Sequence, residues 1–405
     1  MLFDLNRFLQ GLSYAIDCVE SELLGSSTHH GKRVAYLSLR LAKAAGLTEE
    51  EQFDIAAFGI LHDNGLAQET LTKADLDRSR LCQAEDLPAH CTIGENNIAH
   101  FPFRSHSRDI VKYHHEWWDG SGFFGLKGDE IPLMAQIVGL ADSVDVRFRF
   151  ENPDPSNRQR IRDHIIAQSG LAFSPELVAL FEQVSQTTAF WLDLHNSHIQ
   201  QSLDRWMPSH TVEMSWEEIL KVSRVFSQII DSKSRFTQRH SGGLEEKAGR
   251  MANHYDMPHD EMMQLRIAAA LHDVGKLAIP NAILDKPSKL TETERMKVQE
   301  HTYFTRLCLE PIPGFETITE WAANHHEKLS GNGYPMALPP ERLDFNARLL
   351  TVLDIYQALT EERPYRQGNT HEDAMVIIDK LKEGGQLDAT IVDAVRTTLA
   401  DAPAS

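Results

Sequence analysis

Apolar residues along this chain recur at spacings of three and four. In RVAYLSLRLAKAAGL, Arg33 to Leu47, they line one face of a helix. The same spacing runs through most of the sequence, and strict alternation of apolar and polar positions is nearly absent. Proline and glycine gather in a few loops, such as ENPDPSN (Glu151 to Asn157) and GNGYPMALPPERL (Gly331 to Leu343). The pattern predicts an all-α fold. A helix expected from about Ser215 to Ser232 carries Ile219, Val222, Val225, Phe226, Ile229 and Ile230 as one stripe. Such a stripe either seals a core or pairs two subunits, and sealing a core is the simpler expectation.

Comparing the chain with itself gives the organisation. His30, His62 and Asp63 recur as His240, His272 and Asp273, each 210 residues later. His90, His114 and His115 recur as His301, His325 and His326 at an offset of 211, and Asp142 recurs as Asp354 at 212. So small a drift over more than a hundred residues signifies two copies of one domain. They are expected at about 1–195 and 215–405, with 196–214 as a connector.

Composition narrows the function classes. The 405 residues suffice for two or three domains. No stretch reaches the ~18 consecutive apolar residues of a membrane span, and the opening MLFDLNRFLQ lacks the features of a secretory signal. Cys18, Cys82, Cys91 and Cys308 show no CxxC spacing, which suits a reduced, cytoplasmic setting. A net charge of −19 argues against binding duplex nucleic acid. The 20 histidines against 8 tyrosines are the unusual feature.

Each copy repeats five histidines and two aspartates. That set suits borderline-to-hard metals, and the lack of thiolates in it argues against a structural zinc site. Seven ligands exceed the needs of one tetrahedral ion and match two octahedral ions sharing a carboxylate. His272 would bind one ion while Asp273 bridges both. His325 and His326, being adjacent, would point about 100° apart on a regular helix, so both can bind only at a helix end or distortion. A lone histidine in a helical protein is usually a packed or surface residue; recurrence of the whole set at matched spacing reverses that expectation. Two ions about 3.5–4 Å apart generate a bridging hydroxide and hold phosphoryl oxygens during in-line attack. Lys276, one helical turn beyond Asp273, is placed to donate to a phosphate oxygen or to the leaving oxygen. In the first copy that position is Leu66.

The second copy resembles the HD-GYP family, a branch of the HD-domain metal-dependent phosphohydrolases. The resemblance rests on RHSGGLEEKA, LHDVGKLAIPNAILDKPSKLT, EHTYFTRL, NHHEKLSGNGYP and DIYQALTEERPYR, which span almost all of 225–385. It implies an all-helical phosphodiesterase that opens a cyclic dinucleotide, chiefly cyclic di-GMP, at an iron or manganese centre. The implied metal ligands are His240, His272, Asp273, His301, His325, His326 and Asp354, with Lys276 as the catalytic lysine. Gly333, Tyr334 and Pro335 match the GYP triplet that shapes the substrate and partner surface, and Arg363 and Arg366 match phosphate or guanine contacts. Trinuclear members carry a glutamate four residues before the first histidine; Phe236 stands there, so two metals are expected. The usual RWDGSGYP reads KLSGNGYP, with Lys328, Leu329 and Ser330 altered. A subgroup with an extra N-terminal domain degrades 3'3'-cGAMP, which makes that hybrid dinucleotide a second candidate.

The first copy is similar to a degenerate form of the same domain. It keeps His30, His62, Asp63, His90, His114, His115 and Asp142, so a metal there is also expected. GFF (Gly122 to Phe124) replaces GYP, and DVRFRFENPDP replaces the segment ending in RPYR. A regulatory or dimer-supporting role, a separate hydrolytic activity and a purely structural metal site are the three readings. Its aromatics Trp117, Trp118, Phe123 and Phe124 either pack on the catalytic domain, an intramolecular contact, or belong to its own core. A homodimer is a further expectation. Competing readings of the whole chain are a mononucleotide phosphohydrolase, a non-catalytic cyclic-dinucleotide receptor and a di-iron oxygenase.

Overall fold

Helix starts are set by side chains that take up orphan backbone donors. Thr48, Ser215 and Thr291 each accept from the amide three residues on, while Glu51, Glu218 and Glu294 reach back to the cap residue's own amide. Asp344 accepts from the Ala347 amide in the same way. The computed structural model describes residues 1–24, 28–72, 88–105, 107–149, 154–234, 240–362 and 367–400. Among these the fold is all-α, and its two strands, Leu2–Asp4 and Thr211–Glu213, are three residues each. No helix of the described residues is long and apolar enough to cross a membrane.

The chain divides into two compact units, Asp4–Thr211 and Met1–Phe3 with Val212–Ser405. The stretch 196–214 is thus divided between them. Its helix Ile199–Trp206 belongs to the first unit and packs on His30–Ala44, burying Ile199 and Leu203.

The two units share one order of helices, to which the second adds Glu316–Ala323. The first runs Leu5–Leu24, His30–Ala44, Glu49–Leu61, Ala89–Asn97 and Leu133–Phe148; the second runs Trp216–Asp231, His240–His254, His259–Leu271, Glu292–Leu309, Glu316–Ala323 and Phe345–Thr360. In the second unit Trp216–Asp231 packs on His259–Leu271. Its stripe of Ile219, Val222, Val225, Phe226, Ile229 and Ile230 is buried there, so it seals a core and is not presented to a second subunit. In the first unit Trp117 meets the Phe173 ring at 6.1 Å and Phe124 meets Tyr113 at 5.5 Å; Phe124 alone of the four aromatics is exposed.

Glycine decides how closely the helices approach. After each His-Asp pair the chain turns over the helix bearing the third histidine. A Cβ on Gly275 would stand 2.0 Å from the His301 carbonyl oxygen, and one on Gly65 2.3 Å from that of His90. Both neighbours are backbone and cannot step aside. Gly275→Ala is therefore expected to cost about 3 kcal/mol or more. Thermal unfolding would read this as a clear drop in Tm, and an unchanged Tm would refute the tight packing.

Candidate metal centres in both copies

Five pieces of backbone deliver the seven side chains of the second unit. His240 opens one helix, His272 caps the end of His259–Leu271, and Asp273 follows at the turn into Val274–Ala278. His301 lies within Glu292–Leu309 and Asp354 within Phe345–Thr360. The helix Glu316–Ala323 stops before the adjacent pair, so His325 and His326 both turn inward with ring centroids 4.1 Å apart.

Four of the five rings are aimed by the far nitrogen. The Nδ1–H of His272 donates to the Ala269 carbonyl at 2.8 Å, that of His301 to Val298 at 2.6 Å and that of His325 to Ala322 at 2.6 Å. The proton is held on Nδ1, which leaves Nε2 as a lone pair facing the cluster. His240 uses a carboxylate, its Nδ1 lying 2.9 Å from Glu361 Oε2.

Asp273 stands between two groups of donors. Its Oδ1 is 3.3 Å from His301 Nε2 and 3.8 Å from His325 Nε2. Its Oδ2 is 3.0 Å from His272 Nε2, 3.9 Å from His240 Nε2 and 2.5 Å from Lys276 Nζ. Asp354 closes the other side, Oδ1 at 3.1 Å from His240 and Oδ2 at 3.7 Å from His326. Donor atoms of His240, His272 and Asp273 lie within 4.8 Å of one another, as do those of His301, His325 and His326.

The residues fit a metal. His272 Nε2 and Asp273 Oδ1 are buried without a hydrogen-bond partner, a costly state for a polar atom unless a cation occupies it. Burial and the neighbouring His326 hold His325 well below the usual imidazole range, and burial brings His326 down to about 4. Both are neutral at pH 7, as a metal would require of a ligand. His240 goes the other way, to about 9: burial lowers it, and the bonds to Asp354 and Glu361 more than offset that. Burial raises Asp273, yet His272 and Lys276 bring it well below the carboxylate range, so it is anionic.

Tyr334 of the GYP triplet reaches this cluster, its ring 4.9 Å from that of His326. Its loop is held by Glu327, a residue the motif analysis passed over. The amides of Met336 and Leu338 donate to its two oxygens at 2.7 and 3.0 Å, and Gly333 admits the close pass, since a Cβ there would meet Glu327 Cα at 2.4 Å. Pro335 follows Tyr334 through a cis peptide bond. Arg363, Arg366 and Phe236 lie outside the described residues.

The first unit assembles the matching set. His30 Nε2 is 3.2 Å from Asp142 Oδ1, His90 Nε2 is 3.2 Å from Asp63 Oδ1, and His114 Nε2 is 3.8 Å from the same oxygen. His62 Nε2 is 3.6 Å from both Asp63 and Asp142, and His115 Nδ1 is 4.0 Å from Asp142. His62 and His114 again donate from Nδ1 to carbonyls three residues back, at 2.9 and 2.6 Å. Glu116 holds the following loop as Glu327 does, accepting from Phe124 and Leu126. Phe123 replaces the tyrosine, 5.4 Å from His115.

Three features of this unit escaped the sequence reading. Asp145, clamped by Arg33 Nε and Nη2 at 2.7 and 2.9 Å, binds His30 Nδ1 at 2.6 Å. Glu20 is fully buried with neither carboxylate oxygen hydrogen-bonded. Burial lifts it to about 8 against the pull of His30. Cys91 Sγ lies 3.5 Å from His90 Nε2. A carboxylate three residues past Asp142, on the same helix face, was the available signal for Asp145.

A model of the HD domain family matches residues 16–147 and 224–391. The chain belongs to the HD domain family. This HD domain chain is 30% identical over 377 residues to 3'3'-cGAMP-specific phosphodiesterase 1 of Vibrio cholerae serotype O1, covering 91% of its own length and 86% of the relative's. It is 32% identical over 313 residues to 3'3'-cGAMP-specific phosphodiesterase 3 of the same organism, covering 76% and 67%. Its fold matches the crystal structure of the cyclic GMP-AMP-specific phosphodiesterase V-cGAP3 of V. cholerae with a TM-score of 0.69 at 25% identity, over 100% of this chain and 99% of that one. HD-domain phosphohydrolases are metal-dependent, and the two His/Asp clusters give the chain donors for metal.

Proposed function

We propose that this chain is a metal-dependent phosphodiesterase that hydrolyses a cyclic dinucleotide to the linear dinucleotide, with the reaction in residues 215–405. One observation carries the assignment to that copy: Lys276 Nζ sits 2.5 Å from Asp273 Oδ2, whereas the first copy has Leu66, an apolar side chain, at the same place. The ligands are His240, His272, Asp273, His301, His325, His326 and Asp354, holding two divalent ions, iron or manganese. Bound there, the ions supply an activated water and positive charge for the phosphoryl oxygens. Asp273 faces two donors of each group and is placed to join them, with Asp354 on the other side. Lys276 brings an ammonium to the edge of the cluster, where it donates to the phosphate or to the leaving 3' oxygen. Gly333, Tyr334 and Pro335 line the approach, and Arg363 and Arg366 contact phosphate or guanine.

The names of the two relatives favour 3'3'-cGAMP over cyclic di-GMP as the substrate. The first copy holds metal through His30, His62, Asp63, His90, His114, His115 and Asp142 and serves regulation or dimer support. The chain acts in the cytoplasm.

The test incubates the purified chain with manganese, under anaerobic conditions, against 3'3'-cGAMP and cyclic di-GMP, and resolves products by chromatography. Linear dinucleotide is expected, faster from 3'3'-cGAMP. If neither is cut while both are bound, with metal content confirmed, the chain is a receptor and the hydrolase reading fails. Product without oxygen excludes the oxygenase reading.

A further inference from the structure

The two centres differ in one donor. Position 302 of the second copy, directly after His301, is a threonine whose hydroxyl donates to the Gln299 carbonyl at 3.0 Å, back into its own helix. The corresponding residue of the first copy is Cys91, fully buried beside His90. Its Sγ joins the donor nitrogens of His90, His114 and His115 in one group, all within 4.8 Å of one another. His90 turns its other nitrogen, Nδ1, toward Glu69 Oε2 at 3.7 Å, which leaves Nε2 for this group. His114 Nε2 and His115 Nε2 are buried without hydrogen-bond partners, and the two residues are 0% and 8% exposed. Two imidazoles, each with an Nε2 that has no hydrogen-bond partner, thus stand beside a thiol.

We infer that the first copy binds its metal through the Cys91 thiolate together with His90, His114 and His115, a sulfur-bearing site unlike the all-nitrogen-and-oxygen centre of the second copy. The inference rests on the reading that the first copy holds metal, and adds the donor that decides which metal. A tetrahedral ion with a nitrogen at ~2.0–2.1 Å and a sulfur at ~2.3 Å places those two donors about 3.6 Å apart. The separation of His90 Nε2 and Cys91 Sγ is 3.5 Å. Without metal the same distance is spanned by the thiol hydrogen bonding to the ring nitrogen. On binding, the thiol proton leaves to solvent and its place is taken by the ion. Asp63 Oδ1, 3.2 Å from His90 Nε2, stands within reach as a fifth donor. A thiolate with imidazoles selects borderline-soft ions of the zinc class over manganese or magnesium. One chain then carries two metal centres of different selectivity, and the one lacking the lysine is the softer.

Cobalt(II) tests this directly, because thiolate ligation gives a near-ultraviolet charge-transfer band that nitrogen and oxygen donors do not. The probe is Co2+ added to the full-length chain, with metal content measured alongside and the fold checked by circular dichroism. Wild type is expected to show the band. Cys91→Ser should abolish it and leave the weaker visible absorption of the remaining cobalt. Cys18→Ser, Cys82→Ser and Cys308→Ser should each retain it. A band that survives Cys91→Ser, or one missing from cobalt-loaded wild type, overturns the thiolate. A variant with His30, Asp63, His114 and Asp142 all changed to alanine, which takes donors from every group of the first copy, separates the two levels. If it binds as much cobalt as wild type, the first copy holds no metal and the underlying reading fails as well; if it binds less cobalt but wild type showed no band, only the sulfur ligand is refuted. Should Cys91→Ser fail to fold, thiol alkylation before and after metal addition to wild type decides. Protection of Cys91 by Co2+ supports the ligand, and equal labelling refutes it.

Discussion

Asp273→Ala should stop the reaction, with a loss of at least about 10³-fold in the rate of linear product. Asp273 touches two donors of each group: one oxygen faces His301 and His325 at 3.3 and 3.8 Å, the other faces His272 and His240 at 3.0 and 3.9 Å. Alanine leaves only Asp354, 3.1 Å from His240 and 3.7 Å from His326, to span the two groups, and removes one of the two anions that balance the cations. Bound metal should fall with activity, which elemental analysis would report. Asp273→Asn, close in shape, separates charge from packing and should behave like alanine in rate while preserving the fold. The paired control is Asp63→Ala in the first copy, which should still yield linear dinucleotide. If Asp63→Ala silences the chain and Asp273→Ala does not, the catalytic assignment belongs to the other copy.

Lys276→Met should lower the rate by about 10²–10³-fold while metal content stays at the wild-type level. Methionine keeps the length and apolar stem of the lysine and removes only the ammonium. The lysine lies outside the ring of histidines, against Asp273 Oδ2 at 2.5 Å, so the cage does not need it in order to close. Loss of rate with full metal marks a group that acts on substrate. Loss of both together would mean that Lys276 serves the cage, and its assignment as a phosphate donor would fall. Leu66 makes the same change in the first copy, which already has its cage without a lysine.

How much of this could be read in advance follows from what repeats. Histidines at constant offset announce a duplicated domain because helix lengths preserve the register between them. The helix-period stripe in 216–231 correctly indicated burial, since apolar spacing alone decides which face turns inward. Partners of the ligands were harder to see. Glu361 lies seven residues past Asp354 and Asp145 three past Asp142, so the two carboxylates that hold His240 and His30 occupy different places in the repeat. No offset brings them into line. Glu20 was hidden by its type, because a glutamate on an amphipathic helix ordinarily faces water. Cys91 was hidden by its spacing: the sequence offers no second cysteine at a ligand interval, and its companions are histidines gathered by the fold.

The tethering of five of the imidazoles to carbonyls three residues behind them bears on how a duplicated domain can diverge. Those anchors are local, made inside the helix end that carries the ring, at His272, His301 and His325 and again at His62 and His114. The lysine and the tyrosine loop lie outside them. On the proposed assignment, the groups that handle phosphate can be lost while these five rings stay aimed. A copy released from catalysis would then keep its cation donors, open to acquiring a new one and with it a new metal.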